Sequence, residues 1–356
     1  MDASIQDALL MAGEGGVQRG LSDLPADLLG VIYLSCSSAY DRGRFAAVCA
    51  SWRAVASWHR PLPALPLLLP FTGDGERDRE VQAYSPEDGR VLHLPPPQFP
   101  SGSRLIGSHD GGWIAASKVD CEILIVNPFS GVQVALSSGE LYESTVGCSD
   151  WQKIIFSEEP TSSGCIAAAI ISDRTVGLCR IGCPELGWTT RGLADHLQPY
   201  YEVLEDILFY NGELYGLTCN WFLGRNQLLK FDTGLTKDGA PTVTAVHIEI
   251  PFTFQQSDYY GTGYIFELHG KLAMAVEVAP SIADRETFSV RVFELVDEAP
   301  YGSAWVEVTS LGDCALFVGD ACCKAVHVST RHGEVQKNCN YHSKGQWLDH
   351  RKQGWS

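Results

Sequence analysis

A five-residue motif, Gly112-Trp113-Ile114-Ala115-Ala116, places a glycine before a short run of small and apolar residues. Similar runs return at 164–168, 212–216 and 270–274, so the intervals between glycines are 52, 48 and 58 residues. Each run has the length of one strand, and glycine is typical of the tight turn that precedes a strand. A repeat of this length indicates a chain built from copies of one supersecondary unit.

Three further strand-like segments follow each motif. The second segments lie at 122–127, 175–181, 227–232 and 288–296, and the third at 132–136, 188–191, 242–250 and 305–309. The fourth segments lead directly into the next glycine, at 153–157, 206–210, 264–269 and 314–318. Four strands in about 50 residues is the period of a β-propeller blade.

A fainter copy of the unit lies at 65–108, and a partial unit begins at 324–329. The sequence therefore predicts an all-β propeller of about five to six four-stranded blades, with the last blade incomplete. An ordinary β-sandwich with accidental glycine spacing is the alternative.

Upstream of the repeats, the apolar residues follow helical spacing instead. One predicted helix begins at Ser22, and a second follows Asp41, its expected N-cap, and continues from Arg44 to about Ser57. The predicted organisation is a flexible tail at 1–20, a small all-α domain at 21–60, a proline-rich connection at 61–70, a propeller at 71–335 and a polar tail at 336–356.

The net charge of −17 is unevenly distributed. Residues 21–64 carry four arginines and three aspartates, a charge of +1, whereas residues 65–356 carry −16. Such an acidic body repels phosphate backbones and anionic lipid surfaces. We therefore expect neither nucleic acid nor a membrane as a partner.

The chain has 12 cysteines but contains no Cys-x-x-Cys pair. Because they lie in apolar runs, we interpret them as small hydrophobic residues of a reducing compartment, the cytosol or the nucleus. The C-terminal cysteines and histidines have intervals that fit no standard zinc pattern. We therefore expect no metal site and no cofactor in the protein. The residues that suggested a metal site are Cys322, Cys323, His327, His332, Cys339 and His342.

Catalytic motifs are missing from the sequence. There is no Gly-x-Ser-x-Gly motif, and the paired tyrosines have no accompanying histidine pair of the kind that copper radical oxidases on kelch-type propellers need. We expect no catalytic residues, although a propeller enzyme remains an alternative.

Two stretches of the helical region carry a resemblance. Leu24-Pro25-x-x-Leu28 and Val48-Cys49-x-x-Trp52-Arg53 resemble the landmarks of the F-box motif. The remainder resembles the plant F-box-associated domain of the KIB type, which is likened to a kelch propeller, at 106–113, 126–131, 305–313 and 315–319.

The resemblance implies a substrate receptor of a Skp-cullin-F-box ubiquitin ligase, without a catalytic site of its own. The helical domain would bind a Skp-family adaptor, and through it a cullin-RING ligase, while the propeller would hold an unknown target protein. The residues that match the adaptor-facing and core positions of the family are Leu24, Pro25, Leu28, Leu29, Val48, Cys49 and Trp52.

Four aromatic residues in expected propeller loops are candidate target contacts, since aromatic side chains are enriched at protein interfaces. They are Trp221, Phe222, Tyr259 and Tyr260. One departure from the family follows Asn338, where the sequence becomes polar and basic instead of continuing with apolar strands. A scaffold that never joins a ligase, or a truncated product, is therefore the alternative function.

Overall fold

A computed structural model of the chain divides into two compact units, Met1–Leu65 and Pro66–Ser356. The structure describes residues 24–36, 39–59, 81–86, 89–94, 103–117, 122–128, 130–136, 152–197, 202–220, 225–253, 259–279, 289–298, 302–319, 321–328, 335–343 and 353–354. Within these ranges, no helix is long and apolar enough to cross a membrane.

The N-terminal unit contains three helices, α1 (Ala26–Ser35), α2 (Ala39–Ala47) and α3 (Ala50–Trp58). Pro25 precedes α1, and its carbonyl accepts the first helical hydrogen bond from the Leu29 amide at 3.0 Å. The helices pack around a small core of buried side chains, whose members are Leu29, Tyr33, Phe45 and Val55.

The second predicted helix is wrong as a single element, because the chain forms two helices there. Asp41 lies in the first turn of α2 rather than before it. At the end of α2 the Val48 amide donates a hydrogen bond to the Phe45 carbonyl at 3.2 Å, and the backbone of Cys49 is extended with φ −163° and ψ 177°. The helical spacing of the apolar residues continues across this break, which is why spacing alone did not reveal it.

The C-terminal unit is a β-propeller whose described part contains five four-stranded sheets. Blade 1 contains β3 (Arg104–His109), β4 (Trp113–Ser117), β5 (Ile123–Val126) and β6 (Gln133–Ala135). Blade 2 contains β7 (Lys153–Phe156), β8 (Ile166–Ser172), β9 (Thr175–Arg180) and β10 (Trp188–Gly192), with a 3-10 helix at Pro184–Leu186. Before blade 1, β1 (Val81–Ser85) and β2 (Arg90–Leu94) form a separate hairpin.

Blades 3 and 4 follow the same antiparallel order. Blade 3 contains β11 (Glu202–Tyr210), β12 (Glu213–Asn220), β13 (Arg225–Leu235) and β14 (Pro241–Thr253). Blade 4 contains β15 (Tyr259–Leu268), β16 (Lys271–Ala279), β17 (Ser289–Glu298) and β18 (Gly302–Val308). The propeller prediction is confirmed, and the sandwich alternative is wrong.

The repeated glycine closes a hairpin inside a blade. Gly212 and Gly270 have φ of 80° and 78°, and Asn211 and His269 before them both have φ of 51°. Two consecutive positive φ angles form the type I′ turn that joins antiparallel strands without splaying them. The strand before each glycine therefore begins a blade, whereas the sequence prediction placed it as the fourth strand of the preceding unit.

Blade 5 has four strands, so the expectation of an incomplete last blade is wrong. It contains β19 (Cys314–Gly319), β20 (Cys322–His327), β21 (Cys339–Ser343) and β22 (Gln353–Gly354), hydrogen-bonded in the order β20-β19-β21-β22. Although 336–356 was predicted as a polar tail, β21 pairs in parallel with β19, and Tyr341 stacks on Phe317 with ring centroids 5.1 Å apart. The alternation of apolar and polar residues can predict a strand, but it does not show that β21 pairs with β19 instead of with the preceding strand β20.

The blades follow one another around a ring, with β3, β7, β11, β15 and β20 in contact along its inner side. An ion pair between Lys324 on β20 and Asp110 after β3 joins blade 5 to blade 1. Apolar clusters fill the space between successive blades, and each cluster draws residues from both neighbours. Examples are Ile106 with Ile154, Leu178 with Leu204, Leu217 with Ile265 and Phe266 with Leu316.

Candidate functional site

Helix α1 carries apolar side chains on two different faces. Leu29 and Tyr33, four residues apart, point into the core of the helical unit. Leu28, Val31 and Leu34, three residues apart, form a stripe on the opposite side and remain exposed. We call Leu28, Val31 and Leu34 the outer stripe of α1.

The helical unit exposes further large apolar residues besides this stripe. Val48 at the α2–α3 break and Trp58 at the end of α3 are exposed as well, and all five residues have between 45% and 69% of their surface accessible. A unit this small would gain free energy by covering such residues with another protein, because each buried large side chain contributes roughly 1.5–3 kcal/mol.

The predicted adaptor-binding residues separate into three groups. Pro25, Leu28 and Val48 are exposed. Leu24, Cys49 and Trp52 are half-buried, and the Trp52 ring lies 4.5 Å from the Phe45 ring. Leu29 is only 1% exposed, so its side chain holds the three helices together and cannot reach another protein while they stay folded.

Val31, Leu34 and Trp58 were missed by the sequence reasoning. The signal was present, since α1 has more apolar residues than one buried face of a ten-residue helix can use. The apolar residues that the core does not use are therefore expected on the outer side of α1.

Cys49 at the α2–α3 break has a thiol whose surroundings lower its pKa. Its Sγ lies 3.0 Å from the Ser51 hydroxyl, and this hydrogen bond, followed by one from the Trp52 amide, lowers the pKa of the Cys49 thiol. Burial has the opposite effect on Cys179, whose pKa it raises to about 12. The helical unit therefore has a cysteine with a lowered thiol pKa beside its exposed apolar residues, and a lowered pKa favours the nucleophilic thiolate.

The inner strands of the propeller contain a buried ion pair between Lys153 on β7 and Asp206 on β11. Burial would lower the pKa of Lys153, but the charge and hydrogen bond of Asp206 outweigh it and raise the pKa. Burial and the negative charge of Asp206 raise the pKa of the neighbouring Cys323 thiol well above its usual value. The lysine is therefore an ammonium group and the cysteine a protonated thiol, an arrangement suited to holding blades together.

The structure describes two of the four residues that were predicted to contact the target. Trp221 and Phe222 lie outside the described residues. Tyr259 and Tyr260 begin the inner strand β15 and pair with Ala279 and Val278, so their predicted position in a loop is wrong.

The described C-terminal histidines and cysteines that were considered as zinc ligands lie on two different strands. Cys322, Cys323 and His327 lie on β20, Cys339 and His342 on β21, and His332 lies outside the described residues. Within the described part of the chain, three other residues could together bind a metal ion. They are His269, Asp313 and Cys314, and their ligand atoms all lie within 4.8 Å of one another.

Comparison with known proteins identifies the fold family. The model of the KIB1-4 beta-propeller family matches residues 83–354, more than half of the chain. The chain belongs to the KIB1-4 beta-propeller family.

Relatives of this family member extend the similarity to the helical unit. An Arabidopsis thaliana protein named as an F-box protein is 24% identical over 351 residues, which cover 90% of this chain and 87% of the relative. A second F-box protein from the same plant is 28% identical over 200 residues, covering 55% of this chain and 51% of that relative. Among solved structures, the WD40 domain of SCAP from fission yeast aligns with 60% of this KIB1-4 chain and 44% of its own, with a TM-score of 0.36 and 12% identity.

Proposed function

We propose that this protein is a substrate receptor of a Skp-cullin-F-box ubiquitin ligase. The helical unit binds a Skp-family adaptor, and the propeller holds the protein to be ubiquitinated. The observation that carries the proposal is the outer stripe of α1, an exposed apolar surface on a small helical unit that precedes a KIB1-4 propeller.

The two apolar faces of α1 have different roles in this proposal: one forms the core of the helical unit and the other binds the adaptor. Leu29 and Tyr33 already fill the core of the unit, so Leu28, Val31 and Leu34 contribute little to folding and are free for an intermolecular contact. Burying these three side chains against an adaptor would supply roughly 1.5–3 kcal/mol each before the costs of association are subtracted. Because association itself costs about 4–15 kcal/mol, a stable complex also needs the other exposed apolar residues of the unit, Val48 and Trp58, in the contact.

The propeller is proposed to bind and not to catalyse. Asp206 is engaged by Lys153 and by two backbone amides, of Ile207 at 2.8 Å and Ile265 at 2.9 Å. Its charge is therefore matched inside the ring, which favours a structural role over proton transfer. Free thiols at the described cysteines are consistent with work in the cytosol or the nucleus.

Co-purification with a plant Skp-family adaptor tests the first half of the proposal. We expect the full chain and the adaptor to elute as a one-to-one complex, and Val31→Asp to weaken it at least tenfold because a carboxylate would be desolvated at the contact. The matched control is Leu235→Asp, a charge placed on a leucine of the propeller that is 64% exposed. A folded chain that binds none of several adaptors, or that binds equally well as Val31→Asp, would refute adaptor binding.

Reconstitution with cullin and RING subunits tests the second half. We expect the chain to enter the ligase and to direct ubiquitin onto a protein captured by its propeller. Adaptor binding without assembly of the ligase would instead support the scaffold alternative.

A further inference from the structure

The junction between blades 4 and 5 brings together three side chains that are common metal ligands. His269 lies in the turn between β15 and β16, while Asp313 immediately precedes β19 and Cys314 begins it. The Cys314 Sγ is 3.6 Å from His269 Nε2, and Asp313 Oδ1 is 3.9 Å from each of those two atoms. One nitrogen, one sulfur and one oxygen therefore face a common point.

These separations suit a zinc ion. With Zn–S near 2.3 Å and Zn–N near 2.05 Å, a tetrahedral angle places the two ligand atoms about 3.6 Å apart. With Zn–O near 2.0 Å, the same angle places the oxygen about 3.5 Å from the sulfur and about 3.3 Å from the nitrogen, so the Asp313 carboxylate would move inward by about 0.4–0.6 Å to bind. Cys314 is buried while His269 and Asp313 are partly exposed, so an ion could reach the site from solvent and still contact a shielded sulfur.

Further side chains lie behind two of the three ligands. Glu294 Oε1 lies 3.6 Å from His269 Nδ1, the ring nitrogen that faces away from Cys314. His327 Nε2 lies 2.6 Å from Asp313 Oδ2, the oxygen that the inner triangle does not use. A carboxylate behind a histidine ligand and a hydrogen bond behind a carboxylate ligand are the usual supports of protein zinc sites.

The backbone also places His269 in an unusual way. It adopts a φ of 51° in the turn position that Asn211 occupies in blade 3. Only asparagine, aspartate and histidine visit this region with any frequency among residues other than glycine. Histidine is thus one of the few residues that satisfy the turn and can also bind a metal.

We propose that His269 Nε2, Asp313 Oδ1 and Cys314 Sγ bind one Zn²⁺ ion, with water in the fourth position. The mixed nitrogen, oxygen and sulfur ligands favour zinc over magnesium or calcium, because a thiolate is a poor ligand for those harder ions. The ion fastens the β15–β16 turn of blade 4 to the first strand of blade 5. That blade has the irregular strand order, so the site stabilises the closing part of the ring.

Cobalt(II) titration of the chelator-treated, reduced full-length chain tests this site. We expect one Co²⁺ per chain with a thiolate-to-metal charge-transfer absorption, and displacement of Co²⁺ by Zn²⁺. Cys314→Ser should abolish that absorption, and His269→Asn should weaken Co²⁺ and Zn²⁺ binding at least tenfold while keeping a residue suited to the turn.

Two controls match the variants. Cys183→Ser removes a half-buried thiol elsewhere in the propeller, and His247→Gln breaks a histidine–carboxylate pair with Asp232 at 2.8 Å that has no thiol within the described contacts. Both should leave the absorption and the affinity unchanged. Zn²⁺ should also raise the Tm of the wild-type chain and not that of His269→Asn, since a ligand stabilises the form that binds it.

The proposal is overturned if the folded wild-type chain binds no stoichiometric Co²⁺ or Zn²⁺, or if Cys314→Ser and His269→Asn bind as tightly as the wild type. Neither result depends on adaptor binding, so the zinc site and the ligase proposal can fail separately.

Discussion

The carboxylate of Asp206 on blade 3 receives the ammonium group of Lys153 from blade 2 and the amide of Ile265 from blade 4. One side chain therefore joins three successive blades at the inner side of the ring. A buried charge is stable only when it is paired and hydrogen-bonded, and Asp206 meets both conditions.

Asp206→Ala should destabilise the propeller by about 3–5 kcal/mol, because it leaves the ammonium group of Lys153 buried without its counter-charge. Urea unfolding of the wild type and the variant measures the difference. Glu213→Ala is the control, since it breaks the partly exposed pair with Lys230 at 3.7 Å. That change should cost less than about 1 kcal/mol, and equal costs for the two variants would contradict the importance of the buried pair.

The pH dependence of this ion pair follows from the raised pKa of Lys153. A lysine whose pKa is higher in the folded than in the unfolded chain contributes stability that is complete below the unfolded value, near 10.4. The contribution is lost as the pH rises through the folded value. Lys153→Met should therefore differ from the wild type by a constant free energy of unfolding between pH 7 and 9, and by a shrinking one above about pH 10.5. A difference that already falls below pH 9 would contradict the raised pKa.

Blade packing also depends on a glycine without a positive φ. A Cβ added to Gly107 on β3 would lie 2.1 Å from the Ile154 carbonyl oxygen on β7. Gly107→Ala should therefore force blades 1 and 2 apart, lowering the free energy of unfolding by about 1–3 kcal/mol or more. In contrast, Gly43 in α2 has open space, and Gly43→Ala should stabilise its helix by up to about 1 kcal/mol. Thermal unfolding followed by circular dichroism compares the pair, and a neutral Gly107→Ala would show that the blades tolerate a wider spacing.

Gly107 and Gly212 show how far the sequence could predict this fold. Gly212 belongs to a regular repeat, so its strand and its turn were both visible in the spacing. Gly107 matters because of a backbone oxygen 47 positions away in sequence, a contact that no local pattern encodes. The same limit explains the site at His269 and Cys314, which are 45 positions apart, and the parallel pairing of β21 with β19, which depends on tertiary packing.

In the helical unit, the sequence alone could not show which of the adjacent residues Leu28 and Leu29 is buried and which is exposed. The family resemblance assigned both to the same set, because a motif records which residues recur and not which way each side chain points. Only the packing of α1 on α3 separates them, since one residue of helix rotates the side chain by 100°.

This adjacent pair of leucines gives a matched test of folding against binding. Leu29→Ala should destabilise the helical unit by about 2–5 kcal/mol, because it opens a cavity among Tyr33, Phe45 and Val55. Leu28→Ala should change stability by less than about 0.5 kcal/mol and weaken adaptor binding several-fold. Urea unfolding and adaptor titration measure the two effects. Weaker binding in Leu29→Ala alone, with Leu28→Ala unchanged, would show that the outer stripe is not the contact surface.

Cys49 offers a chemical reporter for the same surface, because hydrogen bonds from Ser51 and Trp52 lower the pKa of its thiol. Thiolate is the reactive form, so iodoacetamide at neutral pH should alkylate Cys49 faster than Cys179, whose burial raises its pKa to about 12. Quantitative peptide mass spectrometry over a time course measures both rates. Ser51→Ala should slow alkylation of Cys49 without affecting Cys179, since it removes the larger of the two stabilising hydrogen bonds.

Bound adaptor should then protect Cys49, because Val48 beside it is one of the exposed apolar residues proposed to be covered. A protected Cys49 in the wild-type complex, with unprotected Cys49 in a mixture of adaptor and Val31→Asp, would place the α2–α3 break inside the interface. Equal alkylation with and without adaptor in a complex proven by co-elution would restrict the contact to α1 and exclude Val48 and Cys49 from it.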